Sequence, residues 1–403
     1  MMDQTISYAR LIRLPNILPL LGAICLTRLA GRMFRIVIVF YALAAFGSPR
    51  LAGFLSFAAI VPGLLVSPLA GALLDRAGAG RGIVIDLAAS ATLALTLALT
   101  IFLGLAGPPL LLLLAAIYAL TSPLSAAGVR VLLPRLVPRN VLDRANALDT
   151  TIHGIVDVVG PSLAGAMVGF AGPVPSFIAI ALAYGAATAC LACVRSVRLP
   201  ASSHPFLGQA WEALVTVCRR PLLRGLAVGY ALNNGTWGIL VVAVPVFMAQ
   251  RFVAGTWEAA AGLLWAGAGL AGGIGALAAG QLRLVGREVP VMTVCMLVMA
   301  GAAWPVAGMF GLPGLAIGLA IVGLLAGPID VGLLTLRQRR TEPALLGRVL
   351  AVSMSVNLMG FPIGTALGGM LAAWWLPSAF VAAAVASLLG ALATWRLIPA
   401  EDR

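Results

Sequence analysis

The chain has 403 residues, of which 61% are hydrophobic and only 10% are charged, and its mean hydropathy is +1.06. Soluble domains carry about 25% charged residues, so this composition excludes an ordinary water-soluble globular protein. A net charge of +13 would suggest a nucleic-acid ligand in a soluble protein. Here the basic residues cluster at the ends of apolar runs, where membrane topology explains them, and we expect no nucleic-acid partner.

Long apolar runs follow one another along the whole chain. A run such as 83–105 reaches the roughly 20 residues that a membrane-spanning helix needs. The runs are continuous rather than alternating in polarity, which favours helices over a β-barrel. Charge clusters and Gly/Pro breaks divide them into twelve predicted spans, near residues 17–46, 50–74, 82–106, 109–133, 145–170, 175–195, 221–250, 257–281, 289–310, 312–336, 346–373 and 377–397. The sequence therefore predicts an all-α polytopic protein in a lipid bilayer.

The arginines predict how these spans are oriented. If the N-terminus is cytoplasmic, most arginines fall on the cytoplasmic side, and only Arg50 and Arg251 fall outside. This asymmetry satisfies the positive-inside rule, so we expect both termini in the cytoplasm of a bacterium and the protein in its inner membrane.

The longest polar connection divides the chain into related halves. We predict an N-terminal six-helix bundle (1–198), a cytoplasmic linker (199–220) and a C-terminal six-helix bundle (221–403). At a constant offset of 204 residues, Gly31 matches Gly235 and Gly160 matches Gly364. Two parallel six-helix repeats that rock about a midplane site are one architecture of secondary transporters.

A charged turn separates spans 2 and 3. It reads Gly71-Ala72-Leu73-Leu74-Asp75-Arg76-Ala77-Gly78 and is followed by Arg81. The stretch resembles the signature loop of the major facilitator superfamily, in which the Asp and the Arg latch the cytoplasmic ends of the two halves. The resemblance implies a gating loop whose residues are Gly71, Asp75, Arg76, Gly78 and Arg81. A plain charged turn with topogenic arginines is the alternative interpretation.

Span 5 carries the stretch Gly160-Pro161-Ser162-Leu163-Ala164-Gly165. Pro161 removes one backbone hydrogen bond, and Gly160 allows a neighbouring helix to approach closely. The stretch is similar to the antiporter motif of the superfamily, with Gly160, Pro161 and Gly165 at matching positions. With the stretches 27–33 and 144–148, the whole chain resembles the twelve-span exporters of drugs, macrolides and siderophores. The resemblance implies the major facilitator fold.

Three arginines lie inside span 1. Arg28, Arg32 and Arg35 are spaced by four and three residues, so they share one face of a helix. A charge at this depth costs about 2.5–3.5 kcal/mol on insertion scales and requires a cavity or a partner. In the resembled fold span 1 lines the substrate cavity. Arg28 and Arg32 are therefore candidates for binding an anionic or zwitterionic substrate, unless they pair with carboxylates of the first half. For Arg35 we expect such a pairing.

Span 5 offers the matching acids. Asp149, His153 and Asp157 recur every four residues and so share a helix face. Histidine titrates near pH 6.5 when unperturbed, so His153 and Asp157 are candidates for proton coupling. Asp157 could equally neutralise an arginine of span 1 and never titrate, and His153 could be a hydrogen-bonded interior histidine.

The second half contributes three further candidates for the substrate cavity. Asp330 of span 10 is a second proton or substrate site, and Trp237 of span 7 is a candidate cavity wall. Asn233 could hydrogen-bond a substrate or join two helices.

These features favour a secondary active transporter over an enzyme. A phosphate-binding GxxxxGK[ST] loop is missing from the sequence, as are the HExxH and GxSxG patterns. We predict proton-coupled export of a small organic molecule by rocker-switch alternating access. The alternatives are import of an organic anion and a transport-inactive sensor or scaffold. We expect a monomer with a small-molecule substrate and protons as partners, and no catalytic residue, metal or cofactor.

Overall fold

The structure is a computed structural model that describes residues 14, 16–67, 79–137, 142–194, 215–281, 286–341 and 343–399. In these residues twelve helices are long and apolar enough to cross a membrane, which confirms the predicted all-α class and number of spans. We number the helices in chain order as α1 (Ile17–Phe46), α2 (Pro49–Ala58), α3 (Ala79–Phe102), α4 (Pro108–Leu136), α5 (Leu142–Ala171), α6 (Pro173–Ala192), α7 (Pro221–Ala249), α8 (Thr256–Gln281), α9 (Glu288–Gly301), α10 (Gly311–Arg340), α11 (Pro343–Trp374) and α12 (Leu376–Leu397).

Two helices depart from a single regular cylinder. After a turn at residues 59–60, the α2 span continues as a helix to Ser67. A π-helical segment (Ala302–Ala307) with Pro305 inside it follows α9. A proline cannot donate to the helix ladder, so it interrupts a regular span at this place.

Prolines begin many of these helices. The first turns of four helices, α2, α4, α6 and α7, contain Pro49, Pro108, Pro173 and Pro221. A proline is tolerated there because the N–H groups of a first turn have no partner within the helix. At α2 the side chain of Ser48 also accepts a hydrogen bond from the Leu51 N–H. The same residues that break the apolar runs in the sequence therefore define the observed helix starts.

The chain forms two compact units. One consists of Met1–Val37 and Pro62–His204, and the other of Ile38–Val61 and Pro205–Arg403. In the first unit α3 packs against α4 and α6; in the second, α7 packs against α11 and α12, and α8 against α10. The predicted linker 199–220 lies largely outside the described residues, and the orientation of the termini stays a prediction.

Glycines allow the closest helix contacts within the second unit. A Cβ added at Gly275 of α8 would overlap the main-chain oxygen of Leu324 of α10. A Cβ added at Gly364 of α11 would overlap the main-chain oxygen of Gly235 of α7. Helices in a membrane gain their stability from such close packing, because lipid gives them no hydrophobic driving force to associate.

We predict that Gly275→Ala destabilises the protein. The added methyl must push α8 away from α10, and overpacking of this kind costs about 1–3 kcal/mol. The measurement is the midpoint of thermal unfolding of the purified protein in detergent. Gly267→Ala is the matched control on the same helix, because a Cβ at Gly267 meets nothing within 4 Å. Equal midpoints for the two variants would show that the α8–α10 approach does not limit stability.

Candidate functional site

Arg28 of α1 forms an ion pair with Asp149 of α5. Its Nη1 lies 2.9 Å from Oδ1 of Asp149 and donates to the Asp149 main-chain oxygen at 2.9 Å, while Nη2 donates to Oδ2 at 3.0 Å. Oδ1 receives a charge contact from Nη1 but no aligned hydrogen bond in the described residues. The guanidinium fork thereby fastens α1 to the first turns of α5.

The next arginine makes a second and differently built ion pair. Arg32 Nη2 lies 2.5 Å from Oδ1 of Asp157, but this oxygen has no aligned hydrogen bond within the described part of the chain. Oδ2 of the same carboxylate lies 3.7 Å from Nε2 of His153, one turn earlier on α5. Asp157 therefore stands between a fixed cation and a titratable ring. The side chains of His153 and Asp157 are 54% and 39% exposed.

The antiporter-like stretch lies directly on this pair. Gly160 is buried, and a Cβ added there would lie 2.7 Å from Cβ of Arg32. Pro161 stands inside α5 at the following position, and Gly165 is buried one turn later. The absence of a side chain at Gly160 allows α5 to reach the stem of Arg32, which brings Asp157 to the guanidinium.

Arg35 is the third arginine of the α1 face. Within the described residues no carboxylate lies at ion-pair distance from it, contrary to the pairing that we expected. It lies instead near two buried tyrosines, Tyr118 of α4 and Tyr184 of α6, whose hydroxyls are 2.6 Å apart. A Cβ added at Gly31 would lie 3.4 Å from each hydroxyl and 3.9 Å from Nη1 of Arg35. The small Gly31 thus makes room for this polar group among apolar helices.

The three candidates of the second half have different surroundings. Asn233 is 2% exposed and accepts a hydrogen bond from Ser387 of α12, which favours the interpretation that it joins two helices. Trp237 is partly exposed, and its ring centroid lies 6.1 Å from that of Trp265 of α8. Asp330 is exposed and accepts a hydrogen bond from the hydroxyl of Tyr230 of α7. Of the three, only Trp237 and Asp330 therefore have side-chain surface that a ligand could contact.

The gating loop cannot be compared with the structure in full. Gly71, Asp75, Arg76 and Gly78 lie outside the described residues, and Arg81 is exposed near the start of α3. The latch stays a prediction.

The tyrosine pair beside Arg35 was not predicted from the sequence. One feature of the sequence could have indicated the pair: a tyrosine inside an apolar span buries a hydroxyl, and a buried hydroxyl needs a hydrogen-bond partner. Tyr118 and Tyr184 are 66 residues apart, and neither helical periodicity nor motif spacing connects them. Their proximity follows from the packing of α4 and α6 around α1.

Known proteins resemble both the sequence and the fold. Residues 20–282 match the Major Facilitator Superfamily. An uncharacterised MFS-type transporter, y4rN of Sinorhizobium fredii (strain NBRC 101917 / NGR234), is 49% identical over 399 residues, or 99% of this chain and 98% of that protein. The enterobactin exporter EntS of Citrobacter koseri is 30% identical over 274 residues, or 63% of this chain and 61% of that protein. A solved structure of an auto-inhibited POT family peptide transporter aligns with a TM-score of 0.77 at 13% identity, covering 95% of this chain and 96% of that one.

Twelve apolar helices with ion pairs between them define a multi-pass membrane protein. Because the family match extends over more than half of the chain, the chain belongs to the major facilitator superfamily. The similar sequences and structures are transporters, so this protein is a transporter and not an enzyme.

We predict that the Arg28–Asp149 pair stabilises the first unit and that its two halves depend on each other. Arg28→Gln leaves the Asp149 carboxylate uncompensated and should cost about 1.5–3 kcal/mol, the usual value of hydrogen bonds to charged groups. Arg28→Gln combined with Asp149→Asn removes both charges and should recover most of that loss. Thermal unfolding of the wild type, Arg28→Gln, Asp149→Asn and the double variant forms a double-mutant cycle. Strictly additive losses would contradict a direct pair.

Proposed function

We propose that the protein is a proton-coupled exporter of a small organic molecule in the cytoplasmic membrane of a bacterium. The observation that carries this proposal is the contact series His153–Asp157–Arg32, in which one carboxylate contacts both a titratable ring and a cation. The exporter direction is supported by the similarity to the enterobactin exporter EntS. The Gly160-Pro161 stretch beside Arg32, which is similar to the antiporter motif, agrees with antiport, and the predicted latch at Asp75 and Arg76 agrees with alternating access.

The exposure of this series bears on where it lies in the membrane. His153 and Asp157 are more than a third exposed inside a predicted span. Charged groups on a span avoid hydrocarbon and face a cavity that water or substrate can enter. We therefore assign this face of α1 and α5 to the transport path.

Asp157 is the better proton site of the two aspartates. Arg28 holds Asp149 through hydrogen bonds to both its side chain and its main chain. In the described residues Arg32 reaches Asp157 through one contact, between Nη2 and Oδ1, whereas Arg28 makes three contacts with Asp149. A proton or a substrate group that replaces the arginine therefore breaks fewer contacts at Asp157 than at Asp149. Nε2 of His153 lies 3.7 Å from Oδ2 of Asp157, so a proton would pass between them through a bridging water or after a small rotation of the ring.

The substrate must replace the contact between Arg32 and Asp157, and this requirement limits its chemistry. A molecule with a cationic or hydrogen-bond-donating group can bind ionised Asp157, while an anionic or accepting group binds Arg32 or the nearby Arg35. Protonation of Asp157 removes the first of these contacts. Substrate and proton then compete for one carboxylate, which is the requirement for antiport.

A purely anionic substrate would reverse this coupling. It would bind best when Asp157 is protonated and Arg32 is released, so the anion and the proton would travel together. Arg35, which has no carboxylate partner in the described residues, favours this second candidate, the import of an organic anion. The two functions differ in the direction of the proton movement that the substrate causes.

We predict that Asp157→Asn abolishes proton coupling. The assay uses everted membrane vesicles with an acidified lumen and a fluorescent reporter of the pH difference. The probes are enterobactin and a panel of zwitterionic and anionic small molecules. At least one probe should drain protons from wild-type vesicles and none from Asp157→Asn vesicles. Asp149→Asn is the matched control on the same helix and should retain the signal.

Three outcomes contradict this assignment. A probe that acidifies the lumen further indicates symport and hence import. Transport of a probe without any proton movement by the wild type excludes proton coupling. If the wild type moves none of the probes, the proposed substrate chemistry is wrong.

A separate prediction concerns Arg35. Arg35→Gln should raise the KM of any probe with an anionic group by about 10-fold, the loss of one charge-assisted hydrogen bond. The number of protons exchanged per substrate should not change, because Asp157 and His153 remain. Arg35→Lys should restore part of the affinity. An unchanged KM in both variants would remove Arg35 from the binding site.

A further inference from the structure

A cavity of about 430 Å³ opens at one end of the second unit. It is formed by the end of α7, the connection between α11 and α12, and the residues that follow the π-helical segment. Its lining includes Phe247, Gln250, Arg251, Trp374, Trp375 and Phe380. Cavities of 300–1,000 Å³ accommodate small ligands, so there is room for a polar headgroup.

Arg251 supplies the charge of this cavity. Its guanidinium carbon lies 3.6 Å from the centroid of the Phe247 ring, and Nη1 donates to the Phe247 main-chain oxygen at 3.4 Å. No carboxylate in the described part of the chain lies within ion-pair distance of it. The acid nearest in sequence, Glu258, is buried and accepts a hydrogen bond from the Gly255 N–H. The remaining donors of the stacked guanidinium can therefore bind an external anion.

The surroundings of the cavity resemble a membrane interface. Trp374 is 80% exposed and Trp375 is 57% exposed, and both stand where α11 ends and α12 begins. Tryptophans at helix ends sit at the level of lipid headgroups. Three more exposed apolar residues lie at the ends of neighbouring helices: Val253, Met309 and Phe310. A ligand with a charged head and apolar chains matches this combination, whereas a small hydrophilic anion would leave the apolar surface uncovered.

We propose that this cavity binds an anionic phospholipid, with the phosphate on Arg251 and the acyl chains against the exposed aromatic residues. The site is separate from the ion pairs of α1 and α5 and does not depend on the transport function proposed above. On the predicted topology the lipid belongs to the outer leaflet. Arg251 and Arg50 are the two arginines predicted on that side, and only Arg251 lines the cavity.

The test measures the thermal unfolding of the purified full-length protein during titration with dioleoylphosphatidylglycerol. The lipid should raise the unfolding midpoint of the wild type by about 3 °C, since a ligand that binds only the folded state stabilises it. Arg251→Gln should lose at least half of that shift. Arg50→Gln, the matched control at an outer helix end, should keep it. Native mass spectrometry should show fewer retained lipid molecules on Arg251→Gln than on Arg50→Gln.

Two comparisons identify the source of the phosphate. Dioleoylphosphatidylcholine, whose phosphate is accompanied by its own cation, should stabilise the wild type less than phosphatidylglycerol does. Soluble glycerol 3-phosphate at the same concentration should have no effect. Equal stabilisation by either compound overturns the anionic-lipid assignment. An equal response of wild type and Arg251→Gln to phosphatidylglycerol, in both measurements, also overturns it.

Discussion

The first unit is built around a rule of the membrane interior: a charge in a span must meet an opposite charge or water. Arg28 and Arg32 on α1 face Asp149 and Asp157 on α5, which are spaced eight residues apart. Gly160 lets α5 approach the stem of Arg32, and Gly31 leaves space beside Arg35 for the tyrosine hydroxyls. Two charged side chains of α1 therefore lie directly beside glycines, which leave room for them.

The two predicted repeats share a close helix contact but not the charges beside it. Gly160 contacts Arg32, and its counterpart Gly364 contacts Gly235, next to Thr236, which occupies the position of Arg32. Span 5 therefore packs against span 1, and span 11 against span 7, through glycines at equivalent positions. The charges are not repeated, because Ser353 and Phe361 stand at the positions of Asp149 and Asp157. The close packing is shared by both copies, whereas the His153–Asp157–Arg32 series belongs to the first.

The sequence predicted the helices well and the contacts only partly. Apolar length and proline breaks mark each span, so the first predicted span coincides with α1, Ile17–Phe46. Helical periodicity showed that Arg28 and Arg32 share a face, as do Asp149 and Asp157. It could not tell which faces meet, because this depends on the packing of several helices. The same limit applies to Arg35, whose tyrosine neighbours come from α4 and α6, and to Asn233, whose partner comes from α12.

In the proposed function, the imbalance of charge on α1 and α5 determines how the substrate and the proton are coupled. Arg28 and Arg32 are each matched by one aspartate, while Arg35 has no carboxylate partner among the described residues, so this region carries an excess positive charge when His153 is neutral. Protonation of Asp157 increases the excess and favours an anion. Ionised Asp157 reduces it and favours a molecule that carries both charges. With Asp157 as the proposed proton site, the same residues could support antiport or symport, and the charge of the substrate would decide which one occurs.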